Sequence, residues 1–240
     1  RAERVSLVAA MISLVFNEGY SASGAPTDIR APLSEEAIRL ARLLLRLFPS
    51  DPEIMGLTAL LLLQHSRAAA RFDDQGQVVL LEDQDRSRWN QAMIAEGLAL
   101  IDKALRHRQP GPYQIQAAIA AVHARAATAE ATDWTGIERL YGALERISPS
   151  PVVTLNRAVA VSRIEGPEAA LAMIEPLAGK LGGYFYFHGA RGALLMRSGR
   201  GREACEAFGK AISLANTRAE AAHIRLQLDR LQKEGAPEAS

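Results

Sequence analysis

Apolar residues recur along this chain at helical spacing, with little of the strict alternation that marks a strand. Five segments carry one pattern: a small or apolar residue, a second four positions on, and a third three after that. They are Ala37, Ala41, Leu44; Gly97, Ile101, Ala104; Ile137, Tyr141, Leu144; Ala170, Ile174, Leu177; and Ala204, Phe208, Ala211. Pro49 closes the first and Pro149 the third. Such spacing puts each trio on one helix face, where the small residue admits a neighbouring helix and the large one fills the gap beside it. The opening "RAERVSLVAAMISLVF" reads as a further, ordinary buried helix. No apolar run approaches the ~18 residues of a membrane span.

The five patterns start 60, 40, 33 and 34 residues apart. The last two spacings resemble those of the tetratricopeptide repeat, a helix–turn–helix unit. Gly192, Leu195, Gly199, Ala204, Phe208 and Ala211 in "GARGALLMRSGRGREACEAFGKAI" match its packing positions best. The longer spacings predict insertions. One is the polar "ATAEATD" before Trp134, with Asp133 as helix cap. The other spans 66–91, where alternating and β-branched residues flank "DDQG" and predict a β-hairpin near 68–82. The expected fold is therefore all-α: tetratricopeptide-like helical hairpins, about eleven helices, and one inserted β-hairpin. A single domain is expected over 1–232, with a frayed tail at 233–240.

Composition narrows the function. Hydrophobic residues make up 48% of the 240, enough for a core, and a formal net charge of +1 removes any whole-chain electrostatic case for nucleic-acid binding. The single cysteine, Cys205, excludes an internal disulfide and a cysteine zinc site, and fits a reducing, cytoplasmic setting. The amino terminus has the basic start and apolar run of a secretory signal. Ser6 and Ser13 interrupt that run, however, and Asn17 and Glu18 occupy the place of a neutral cleavage region. A first residue of Arg1 reads as part of a longer protein.

Candidate chemistry concentrates in "LLEDQDRSRW" at 80–89. Glu82, Asp83 and Asp85 are potential magnesium ligands, but Arg86 and Arg88 compete for the same oxygens. "DDQGQ" fails as a calcium loop, because Arg71 falls where its first carboxylate belongs. The histidines, His65, His107, His123, His188 and His223, lack zinc-helix spacing. No nucleophile elbow, phosphate loop or dinucleotide fingerprint is present, so neither catalysis nor a cofactor is expected. Arg39, Arg42 and Arg46 share a helix face with acids preceding them, which reads as a solvated surface. The acids at 80–89 are instead expected to cap a helix, with Asp83 or Asp85 at its start and Trp89 as a core anchor within it. The whole set of Glu82, Asp83, Asp85, Arg86, Arg88 and Trp89 is then a candidate protein-docking element. In the tetratricopeptide register a concave groove would carry Tyr113, Gln116, His123, Asn156, Arg163 and Tyr186, groups able to bond an extended peptide.

"LVFNEGYSAS", "EEAIRLARLL", "LLEDQDRSRWNQAMIAEGL", "PGPYQIQAAIAAVHA" and "SPSPVVTLNRAVAV" together carry a further resemblance. The chain, from about residue 5 to 232, resembles the tetratricopeptide-like C-terminal extension of bacterial extracytoplasmic-function RNA polymerase sigma factors. The resemblance implies a role in transcription initiation through regulatory protein contacts. The implied partners are the sigma domains of the full-length chain and core RNA polymerase, with promoter DNA reached only through those missing N-terminal domains. No helix-turn-helix reader with a basic recognition helix occurs in residues 1–240. The alternative is a free-standing peptide-binding scaffold of the same fold.

Overall fold

The computed structural model describes residues 2–21 and 27–234. These form α1 (Ala2–Ser21), α2 (Thr27–Leu47), α3 (Pro52–His65), α4 (Gln91–Leu105), α5 (Pro112–Arg125), α6 (Trp134–Ile147), α7 (Pro151–Ile164), α8 (Pro167–Ile174), the single turn α9 (Ala178–Leu181), α10 (Phe185–Arg197), α11 (Gly201–Leu214) and α12 (Arg218–Glu234). The stretch expected as one domain groups into two compact units, Arg1–Gly136 and Ile137–Ser240. α12 carries helix through Glu234; the rest of the expected tail lies outside the described residues.

The first unit is built around α3. Asp51 caps it by accepting from the amides of Glu53 and Ile54, and Pro52 opens its first turn. Ile54 to Leu63 are buried without a break, so this helix is covered on every side. It packs against α1, α2, α4 and α5. The Glu53 carboxylate also reaches across to accept from the Tyr113 and Gln114 amides, serving the start of α5 from the side chain of another helix. Phe16, Ile38, Ala41, Leu57 and Leu61 lie in one cluster of its core, and Leu60, Leu63, Trp89, Ile94 and Ile101 in another.

In the second unit α7 packs on α8, and α10 on both α8 and α11, around Ile174, Phe187, Leu195 and Phe208. Arg157 on α7 donates through Nε and Nη2 to Glu138 Oε1 and through Nη1 to Glu145 Oε2, both acids on α6. Of the five repeated trios only Tyr141 and Leu177 are less than fully buried. The small positions work as spacing predicts. A methyl group on Gly192 would stand 2.5 Å from Phe208 Cδ1. We expect Gly192→Ala to cost about 1–3 kcal/mol by overpacking. In urea unfolding it should be less harmful beside Phe208→Leu than alone; strictly additive costs would mean that the two helices do not meet there.

The predicted β-hairpin is not formed: among the described residues there is no strand. What exists is a tight turn. Asp73 Oδ1 accepts from the Gln75 and Gln77 amides, and Gly76 supplies the left-handed φ of 75° that the turn needs. One antiparallel bridge, Phe72 to Val78, and the Val79 amide on the Arg71 carbonyl close it. From Leu81 the chain coils into a helical turn, so the pairing stops before a ladder develops.

Candidate functional site

The insertion at 66–90 is fastened at both ends. At its start, Arg67 donates to the Tyr20 hydroxyl, which in turn donates to the Gln64 carbonyl. Arg71 donates to the Tyr20 carbonyl and lays its guanidinium 3.6 Å from the centre of that ring. Tyr20 is placed by the end of α1, where Gly19 lets the chain close on Ser34 of α2. Phe16, one turn earlier, is fully buried and stacks on Tyr20 with centroids 5.2 Å apart. "FNEGY" is therefore one anchoring unit: core plug, close approach and hub.

At the far end, Asp85 caps the helical turn Arg86–Arg88 by accepting from the Ser87 amide and hydroxyl. Those two bonds hold the Asp85 carboxyl below its ordinary pKa. Arg86 donates to the carbonyls of His123 and Ala126, satisfying the last turn of α5 and the residue after it. Its guanidinium also lies 4.5 Å from the Trp89 ring centre, and burial lowers its pKa. Trp89 is 4% exposed and sits among Leu60, Leu63, Ile94 and Ile101. The Asn90 amide then bonds the Ser66 carbonyl, joining both ends of the insertion.

Six residues expected to act together thus divide. Arg86 and Trp89 are inward anchors, while Glu82, Asp83, Asp85 and Arg88 are exposed. The cap of α4 is Asn90, which accepts from the Met93 amide; Trp89 precedes the helix, where Asp83 or Asp85 was expected to start it. Asp83, Asp85 and Asn90 are all capping types, so spacing alone could not choose. Arg86 takes backbone carbonyls some 37 residues away, a partner no local pattern reveals.

The groove candidates fall in both units. On α5, Gln116 bonds the Pro112 carbonyl of its own helix, and Tyr113 is half-buried, which raises its pKa. His123 meets Trp134 edge-on at 5.4 Å. Burial first, then the nearby Arg67 and Arg86, push its pKa from the ordinary 6.5 to about 4. On α7, Asn156 and Arg163 are exposed, seven positions apart and hence on one face. Tyr186 on α10 is exposed and donates to Glu220. Among the described residues no three His, Cys, Asp or Glu side chains are grouped to hold a metal, and no helix is long and apolar enough to cross a membrane.

Residues 4–105 match a family of unknown function, DUF6596. That span lies inside the first unit and contains both fastened ends of the insertion. The chain is also similar to the uncharacterized protein R00370 of Rhizobium meliloti (strain 1021), at 68% identity over 236 residues. The match covers 98% of this chain and 56% of that protein, so the chain spans about half the length of the curated relative it matches.

Proposed function

We propose that this chain is the regulatory, protein-contacting extension of an extracytoplasmic-function RNA polymerase sigma factor, built on tetratricopeptide-like hairpins and acting without catalysis. The observation that carries the reading is the doubly fastened insertion. The two most specific sequence blocks, "FNEGY" and "LLEDQDRSRW", serve its two ends. Between and beside these anchors, Asp83, Asp85 and Arg88 face solvent from irregular backbone that is held from beneath. A rigid, charged, exposed element of this kind suits recognition by another protein, because little ordering entropy is lost on binding. The partners are the sigma domains and core polymerase, and promoter DNA is reached only through the former. The setting is cytoplasmic. The greater length of the Rhizobium relative leaves room for sigma domains in that protein.

The test is Asp83→Lys with Arg88→Glu in the full-length protein. Several-fold weaker promoter-directed transcription is expected, with an unchanged unfolding curve. Normal transcription would sink the proposal. A second reading, a free-standing peptide scaffold, is favoured by the shared exposed face of Asn156 and Arg163. Loss of a peptide partner on Asn156→Ala, with transcription intact, would choose it.

A further inference from the structure

α1 is apolar on two faces. Ala9, Ile12 and Phe16 are buried against the core, yet Leu7, Met11 and Leu14 are 61%, 64% and 68% exposed. These three fall at the spacing of a coiled-coil seam, and the same seam is extended by Arg4 at one end and Glu18 at the other. Arg4 and Glu18 are both exposed, and neither has an ion-pair partner among the described residues. Beside the amino-terminal half of the seam lies a hollow of about 460 Å³ lined by Arg4, Val5, Val8, Leu44 and Phe48. Val8 is itself partly exposed, as are Leu43 and Leu47 on the adjoining α2.

We propose that this face is a self-association surface, covered in solution by α1 of a second copy running antiparallel. The seam is its own complement. Around a two-fold axis at Met11, each Leu7 lies across from the partner's Leu14, and each Arg4 reaches the partner's Glu18. A parallel pairing would instead set Arg4 on the partner's Arg4 and Glu18 on the partner's Glu18, so charge selects the antiparallel arrangement. The hollow between α1 and α2 receives the carboxy-terminal half of the other helix, twice by symmetry. The exposed apolar residues of α1 and α2 offer on the order of 500 Å² per copy before flanking polar atoms, against the about 800 Å² that each partner of a standard interface covers. That is the scale of a reversible dimer.

Sedimentation equilibrium of the full-length protein at about 100 µM, well above a micromolar dissociation constant, is the test. A dimer is expected for the native sequence and a monomer for Met11→Glu. Circular dichroism should match in both, since Met11 is largely exposed. Arg4→Glu alone and Glu18→Arg alone should each weaken the dimer at least tenfold, and the double exchange should restore it. A native chain that stays monomeric overturns the proposal, as does a dimer indifferent to Met11→Glu. Single exchanges that the double fails to rescue overturn the antiparallel pairing.

Discussion

Trp89→Ala is expected to destabilise the first unit by about 3–5 kcal/mol, the usual result of emptying a buried indole site. The side chain is almost wholly buried in a cluster with Leu60, Leu63, Ile94 and Ile101 of α3 and α4, two regular helices that resist collapse into the void. The Arg86 guanidinium, which rests on the indole face, would lose that contact too. Its bonds to the end of α5 would then be held less firmly, coupling the loss to a third helix. Trp89→Phe should cost far less. The indole Nε1 is buried without a hydrogen-bond partner among the described residues, so its removal relieves a desolvated donor while most apolar volume stays. Asp83→Asn, at an exposed side chain in the short helical turn Leu81–Asp83, should stay within about 0.5 kcal/mol. Urea unfolding followed by circular dichroism separates the three. A Trp89→Ala loss near that of Asp83→Asn would mean that the insertion is not anchored at this end.

The repeated trios were readable because a buried helix face leaves a period in the sequence. Ala204, Phe208 and Ala211, or Gly97, Ile101 and Ala104, need only local spacing to be placed together, and they are buried. The hairpin was misread for a related reason. "VVLL" has strand-forming side chains, but a strand needs a partner ladder, and one bridge beside a tight turn does not supply it. Alpha-helical α1 shows the opposite ambiguity. Apolar residues on both its faces read as full burial, whereas only the Ala9–Ile12–Phe16 side is covered. Within the candidate docking element, charge density was visible, but the division of labour was not. Arg86 and Arg88 are the same residue type two positions apart, and only the location of the α5 carboxy terminus makes one an anchor and the other a surface group.

His123 should make the first unit lose stability as pH falls. Its imidazole is buried beside Trp134, with Arg67 and Arg86 as the nearest cations, so the folded state resists protonation until about pH 4. In the unfolded chain the same group takes its proton near 6.5. Between those values the unfolded state binds more protons, and folding stability therefore decreases with acidification. This contribution is fully present above about pH 6.5. Linkage gives a loss of about 2 kcal/mol by pH 5 and about 3 kcal/mol by pH 4. His65, whose pKa burial also lowers, adds a change of the same sign, and carboxylates titrate in the same window. The decisive quantity is therefore the difference between the native chain and His123→Leu. Urea midpoints for the two should diverge on acidification, with the leucine variant retaining more of its neutral-pH stability. A difference independent of pH would mean that His123 is open to solvent. In that case the Arg86 anchor, which bonds the carbonyl of this same residue, would close over a wetter and less ordered helix end than the geometry describes.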